Sequence, residues 1–374
     1  MLSPWESATF HARPHLVVVG AGIVGLFTAL HYKRKNPGHV VLVLEEGPFP
    51  QGASVKNAGF ACFGSPSELL ADMVAEGEAA ALARVAERWH GLHELRAELG
   101  DQAIGYEPTG GHELFHVNDP LYTRVAEGFG PLNELLRPLT GGDTYTWENE
   151  LPTRLGMAPG LRCARTVHEG ALNSGHLIRM LLAKVISEGV LVRTSARVVN
   201  LAEEADVVDI RLQDGSCVKC GKVVVATNGR ASDLLPELDI RPARGQVLLT
   251  TPIPGLALRG TFHMHEGFYY FRDHQGGVLL GGGRHLDIAG ETTASEGLTD
   301  LIQQDLEHLL RETILPGRPF TITQRWSGTM GFRAKGKEPY VGLVSERVGA
   351  AVGLSGMGVA IGIRVARRAA GLWA

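Results

Sequence analysis

Six residues near the start of the chain, Gly20-Ala21-Gly22-Ile23-Val24-Gly25, fit the spacing G-x-G-x-x-G. Glycines at these places let a backbone approach a pyrophosphate at a helix N-terminus, where free N–H groups and the helix dipole favour an anion. Twenty residues beyond Gly25 stands Glu45, followed by Glu46. A carboxylate at that distance accepts hydrogen bonds from ribose hydroxyls and repels a 2′-phosphate. Together these residues could hold a dinucleotide, and nicotinamide and flavin cofactors share the fingerprint.

The elements needed to position them can be read around the motif. Leu16 to Val19 is an apolar run suited to a buried parallel strand, and Ile23, Leu26, Phe27 and Leu30 then recur at helical spacing until Asn36-Pro37-Gly38. Residues 40–44 make the next buried strand, completing a right-handed βαβ unit. Ser65-Pro66-Ser67-Glu68 reads as a capping box, and Leu82, Val85, Trp89, Leu92, Leu95 and Leu99 form the stripe of a helix ending at Gly100. Residues 1–14 show no period and read as a tail. Residues 104–170 read as short runs without clear chemistry. A helix follows over 175–188, then strands over about 190–201, 206–212 and 217–226. Alternating runs and turns over 246–282 predict an antiparallel sheet. Beyond it come a helix near 295–311, strands near 320–326 and 340–344, and a terminal helix.

Composition excludes several partners. Lys plus Arg number 36 against 40 for Asp plus Glu, so the surface lacks the positive excess that nucleic acid attracts. The longest uncharged apolar runs, 16–30 and 348–363, are shorter than the ~18 residues of a transmembrane span and contain glycines. Four cysteines do not make a disulfide framework, which points to the cytoplasm. Cys217 and Cys220 form one C-x-x-C with no second pair, so they read as strand thiols, and no metal site is expected.

Three more small-residue turns follow at long intervals: Gly52-Ala-Ser54-Val-Lys56-Asn57-Ala58-Gly59, Thr227-Asn228-Gly229 after an apolar strand, and Gly353-Leu-Ser-Gly356-Met357-Gly358 before the last helix. One extended ligand touched by each would favour a flavin. At these residues the chain resembles the D-amino-acid-oxidase-like family of FAD-dependent oxidoreductases, which includes glycine oxidase and sarcosine oxidase, over most of its length. The resemblance implies an α/β fold, α+β overall, with a Rossmann-like FAD-binding domain and a second antiparallel-sheet substrate domain. The expected division is 15–75, 150–240 and 322–374 for the first, 76–149 and 241–321 for the second.

The resemblance also implies roles. Gly20, Gly22, Ile23, Val24, Gly25, Glu45 and Glu46 would hold the pyrophosphate and ribose of FAD, and Val198 would meet the adenine. Ser54, Lys56, Asn57, Ala58 and Gly59 would pass beside the isoalloxazine, with Thr227, Asn228, Gly229, Trp326 and Gly328 close to the cofactor. Gly356, Met357, Gly358 and Val359 would meet the ring's pyrimidine edge. The implied reaction is oxidation of an amine or amino acid by hydride transfer from its C–N bond to flavin N5, giving an imine that hydrolyses. Oxygen or another acceptor would take the electrons onward. Two alternatives stay open: oxidation of a 2-hydroxy acid, and a flavin-bearing subunit of a larger complex.

Tyr270, Arg272, Arg284 and Lys56 are the candidate catalytic residues. Strand alternation puts Tyr270 and Arg272 on one face and Tyr269 on the other. Where glycine oxidase has an Arg after Trp-x-Gly, this chain has Thr329-Met330, with Arg333 nearby. His168, His263 and His265 are candidates for an acid or base. Lys56 replaces a His through which some relatives attach flavin, so the FAD is expected to be noncovalent, with Cys62 the one other nucleophile at hand. Leu279 stands where sarcosine oxidase has a lysine that assists oxygen, which implies slow reaction with oxygen unless Lys56 supplies the charge.

Overall fold

The computed structural model describes Met1 and residues 3–373. Leu16–Val19 lies in the middle of a six-stranded sheet ordered Tyr340–Leu343, Val348–Val352, Lys222–Val225, Leu16–Val19, Val41–Leu44, Leu191–Arg193. All neighbours are parallel except the edge strand Tyr340–Leu343. Because strand side chains alternate, Leu16 and Val18 enter one core and Val17 and Val19 another. The first core lies under the helices Ile23–Lys35, Ser174–Ser187 and Gly358–Ala369, which supply Leu26, Leu177 and Ile363. The second lies under an antiparallel meander, Val198–Glu203, Val208–Leu212 and Cys217–Cys220. Burial on both faces is why these parallel strands are apolar throughout.

The second sheet has eight strands in the order Ile322–Arg333, Ile240–Thr250, Gly277–Gly282, Tyr269–His274, Thr261–Met264, Gly111–His116, Leu161–Thr166, Thr146–Trp147. It is antiparallel apart from one parallel pairing, Thr261–Met264 with Gly111–His116. One face packs on the helix Asp300–Leu309, where Ile302 and Leu306 meet Phe262, Phe271, Val278 and Leu280. Leu161–Thr166 and Ile322–Arg333, which the expected division places with the cofactor domain, hydrogen-bond within this sheet. Among the described residues no helix is long and apolar enough to cross a membrane.

Three local expectations are corrected. Residues read as a tail contain the helix Pro4–Thr9, capped by Ser3 with Glu6 reaching back. The stretch read as short runs contains a 21-residue helix, Pro120–Thr140, despite Pro131 and Pro138 inside it. Its buried Val125, Phe129, Leu132 and Leu136 keep helical spacing, and that apolar stripe outweighs the hydrogen bonds the prolines forfeit. The helix Pro66–Glu76 begins at Ser65 as expected, but the capping box does not form. Glu68 turns instead to the buried Arg88 guanidinium, 3.1 Å away, and a charge-assisted bond outweighs a cap.

Glu78–Leu99 crosses the start of the terminal helix at Gly91, where an added Cβ would stand 2.0 Å from the Ala360 carbonyl oxygen. Gly91→Ala should therefore destabilise the fold by about 1–3 kcal/mol, as overpacked contacts do. Denaturant unfolding measures this, and an unchanged midpoint would show that the two helices can separate freely.

Candidate active site

Between the two sheets lies a cavity of about 680 Å³, inside the range of about 300–1,000 Å³ common for small-molecule sites. One end is lined by Gly20, Gly22, Ile23, Val24, Glu45, Glu46 and Val198. Gly20 has φ +104°, a left-handed conformation, and its missing side chain leaves the strand end at Ala226 uncovered. The helix Ile23–Lys35 starts at Gly22 without a side-chain cap. Ile23 N–H donates to Ser54 Oγ at 3.0 Å, and the rest of that helix terminus faces the cavity. Glu45 is 6% exposed and accepts from Ala21 N at 2.9 Å and Gly47 N at 3.3 Å. Burial raises its pKa and these two donors partly restrain it. Glu46 pairs with Arg230 at 2.7 Å.

The middle of the cavity is built from residues 53–59. Asn57 fixes their bend: its amide donates to the Ala53 and Ser54 carbonyls, while its oxygen accepts from Gly59 N at 2.9 Å and Ser174 Oγ at 2.6 Å. Ser54, Lys56, Asn57 and Ala58 line the cavity, as do Thr227, Asn228, Gly328, Gly356, Met357, Gly358 and Val359. Asn228 joins two of these turns, since its oxygen accepts from Gly353 N and Leu354 N at 3.1 and 3.2 Å. Lys56 is ion-paired with Glu296. Thr227 Oγ1 is buried in this wall without a hydrogen-bond partner among the described residues. A long polar ligand with an anionic centre fits these features: an uncapped helix terminus, a buried carboxylate near it, and an unpartnered hydroxyl beyond.

The far end is lined by Phe60, His263, Tyr270, Arg284, Met330 and Lys337, among others. Among the described residues the Arg284 guanidinium makes no hydrogen bond or ion pair, and it lies over the Phe332 ring at 5.0 Å. Burial lowers its pKa from an ordinarily very high value. Tyr270 stands edge-on to Phe60 at 5.9 Å between ring centroids, with burial pushing its hydroxyl up to about 12. Burial would raise the Glu68 carboxyl, but Arg88 and then Lys337 overturn it and hold it at about 2. Behind this end, burial pushes Glu113 up to about 7 against the bonds from Ser67, and Glu169 up to about 8 against those from Phe63 and Gly64.

Five of the expected residues do not line the cavity: Gly25, Gly59, Gly229, Trp326 and Arg272. Gly25 lets its helix press on the turn, a Cβ there falling 1.9 Å from Gly20 O. Gly229 and Gly59 allow similar approaches to Met330 O and Leu172 O. Trp326 donates through Nε1 to Lys56 O at 2.9 Å, so it supports the wall from behind. Arg272 shares a face with Tyr270, yet its Nη1 donates to Gly59 O and Leu172 O at 3.1 and 3.0 Å and serves the framework. His168 and His265 also lie outside the lining. Glu68, Lys337 and Phe60 were not foreseen, because nothing in their local sequence separates them from ordinary helix, loop and strand residues.

The family model for FAD dependent oxidoreductases (DAO) matches residues 15–372. The chain belongs to that family. Solved structures agree on the fold of this FAD-dependent oxidoreductase. L-proline dehydrogenase from P. horikoshii matches with TM-score 0.76 at 18% identity, over 96% of this chain and 93% of that one. Glycine oxidase from Bacillus cereus ATCC 14579 matches with TM-score 0.76 at 17% identity, over 96% and 94%. Iminodiacetate oxidase from Chelativorans sp. BNC1 matches with TM-score 0.73 at 20% identity, over 96% and 94%. No curated protein matches the sequence.

The buried carboxyls give the oxidoreductase a pH-dependent stability. An unfolded glutamate ionises near 4.5, whereas burial raises folded Glu169 to about 8. Its contribution is complete below the unfolded value and is lost as the pH rises through the folded one. Glu169→Gln keeps an oxygen for the Phe63 and Gly64 N–H groups, both of which reach Oε1. The variant should therefore retain stability, on the order of a few kcal/mol, that the parent loses between pH 5 and 8. Parallel melting curves at pH 5 and 8 test this, and equal losses in both proteins would refute it.

Proposed function

We propose that the chain oxidises the C–N bond of an amine that carries a carboxylate, an amino acid in the broad sense, with FAD bound noncovalently in the large cavity. The observation that carries this reading is Arg284, a half-buried cation with no ion-pair partner among the described residues, which lines the same cavity as Tyr270. An unpaired guanidinium in a partly desolvated wall is matched by a carboxylate, which it binds through two parallel hydrogen bonds. Proline, glycine and iminodiacetate, for which three structural relatives are named, each combine an amine with a carboxylate.

Bound FAD would supply the acceptor for the two electrons leaving the C–N bond. The protein's own residues do the rest. Glu45 is placed to accept from the ribose, the uncapped turn 20–23 to receive the pyrophosphate, and Thr227 Oγ1 to gain its missing partner. Arg284 and Tyr270 would fix the carboxylate so that the amine carbon is presented in one orientation, while Phe60 and Met330 exclude water. Cys62 lines the same cavity, but burial raises its thiol well above the usual range, which supports noncovalent FAD. Leu279 packs with Val247, Leu249 and Trp326, and Lys56 is engaged by Glu296, which together support slow electron transfer to oxygen and a dehydrogenase-like or sluggish oxidase activity. Four free cysteines are consistent with a cytoplasmic setting.

Acid precipitation should leave colourless protein and a yellow supernatant. Glu45→Gln should raise the FAD Kd about 10- to 100-fold, the loss of a bond to a charged acceptor being worth about 1.5–3 kcal/mol. The apoprotein's melting temperature controls for the Ala21 contact, and unchanged affinity would remove Glu45 from the ribose site.

Anaerobic screening with amino acids, their decarboxylated amines and 2-hydroxy acids should show flavin bleaching by amino acids. Arg284→Ala should then raise KM about 10- to 100-fold, and Tyr270→Phe about 2- to 10-fold, with FAD content constant. Bleaching by hydroxy acids and by no amine would overturn the reading. Equal response to decarboxylated amines, with normal kinetics in Arg284→Ala, would remove the carboxylate from it.

A further inference from the structure

Adjacent to the substrate end lies a second chamber of about 10 Å³, close to the ~10–15 Å³ that one water needs. Glu113, Glu169, Ser65 and Tyr145 contribute to its walls, and His263 lines both this chamber and the large cavity. The strand register explains the arrangement. Tyr270 pairs with His263, and His263 pairs with Glu113, so the three side chains stand in one row on one face of the sheet. Tyr270 and His263 reach the large cavity, and Glu113 is the next residue along the row.

The chamber has the features of a built water site. Ser65 is 5% exposed and its Oγ turns to the Glu113 carboxyl without a well-formed hydrogen bond among the described residues. Glu169 is 2% exposed, and its Oε2 occupies space that only glycine at position 111 leaves open, an added Cβ falling 2.0 Å away. Glu113 is 1% exposed and accepts from Ser67 N at 2.9 Å and from Ser67 Oγ. Among the described residues no cation pairs with either carboxyl. The charged groups around the chamber are Glu68, which acts on both carboxyls, and its partners Lys337 and Arg88, the last of which also donates to Phe63 O. The other titratable neighbours include Cys163, whose thiol is pushed up to about 12 by burial, and Tyr145, Cys62, His112 and Tyr106. Burial pushes the two phenols and the Cys62 thiol up and His112 down to about 4, so all five stay neutral near pH 7. Two unpaired carboxyls in one buried pocket are stable when a proton is held between them.

We propose that Glu113 and Glu169 share a proton through one water in this chamber, and that His263 passes a second proton to them from the ammonium group of a substrate in the large cavity. The second half rests on the amine reading above. In the transfer, an N–H bond of the ammonium breaks and the proton joins the His263 ring nitrogen facing the large cavity. The opposite ring N–H gives its proton to the chamber water, which hands one to the remaining carboxylate. The substrate changes from ammonium to neutral amine with a free lone pair, the carboxyl pair goes from one proton to two, and total charge is conserved. His263 ends neutral in its other tautomer, consistent with burial holding its pKa down to about 4, and the anionic Glu68 beside it favours the passing positive charge. After product release the extra proton returns through His263 to water in the large cavity, which restores the pair and the histidine.

Infrared spectra of the FAD-loaded protein without substrate should show a protonated-carboxyl band that fades as the pH rises through about 7–8. Glu113→Gln and Glu169→Gln should each remove or shift it. A missing band, or one unchanged in both variants, overturns the shared proton. With an oxidisable amine, anaerobic flavin reduction should accelerate over the same pH range, because at lower pH the pair already holds two protons and has no carboxylate left to accept the substrate's. That limb should flatten in Glu113→Gln and in His263→Asn, while His263→Asn keeps the infrared band. An intact limb in His263→Asn overturns the relay. Bleaching by no amine at all defeats the amine reading, and the substrate-free band still decides the shared proton.

Discussion

Residues 56–59 are held at once from the eight-stranded sheet and from a helix packed on the parallel sheet. From the eight-stranded sheet, Trp326 Nε1 donates to Lys56 O and Arg272 Nη1 donates to Gly59 O, at 2.9 and 3.1 Å. From the other side, Ser174, the first residue of a helix packed on the parallel sheet, donates to Asn57 Oδ1 at 2.6 Å. These bonds fix the segment that lines the middle of the cavity. Buried backbone carbonyls need donors, and here the donors come from elements far away in sequence. The two sheets are thereby joined through the same few atoms that shape the site.

Charge is distributed with the same economy. Lys56, Arg88, Arg244 and Lys337 all have carboxylate partners, and burial of a charge is tolerable when it is paired. Arg272 and Glu45 lack an ion partner but are met by backbone carbonyls and backbone N–H groups, whereas Arg284 departs from the pattern outright, and so do Glu113 and Glu169 as carboxyls without a cation. An unpaired buried charge is held at a cost to stability, so these exceptions mark places where a ligand or a proton completes the electrostatics. The two exceptions differ in kind: a guanidinium keeps its charge and awaits an anion, whereas a carboxyl can accept a proton.

Much of this framework is visible in the sequence. Runs such as Leu16–Val19 are apolar at every position because both faces are covered, and the glycine turn after them can be read with its carboxylate partner. Alternation correctly separates Tyr269, packed in the core under Asp300–Leu309, from Tyr270 and Arg272. It gives the face of a residue but not its depth along the strand, which is why Arg272 looked like a substrate contact and serves as a brace. The helix Pro120–Thr140 is hidden by its prolines. Glu113 and Glu169 look like solvent-facing charges, since their burial is created by segments more than forty residues away in sequence, and Glu68 looks like a helix cap because nothing nearby announces Arg88 twenty residues on.

The register of one strand pair decides whether the two chambers communicate. Thr261–Met264 and Gly111–His116 form the one parallel pairing of their sheet, and within it His263 stands opposite Glu113 while Phe262 stands opposite His112. Side chains alternate across a sheet, so a slip of one residue would carry Glu113 to the other face, into the apolar layer under Asp300–Leu309, and bring His112 or Leu114 to the row. Phe262 and His112 resist that slip by stacking, with ring centroids 4.5 Å apart. On the other side Thr261 Oγ1 donates to Gly110 O, and the glycines at 110 and 260 give His112 its space. The apolar contacts of one face therefore set the polar row of the other, and packing that has no chemistry of its own fixes where a proton can go.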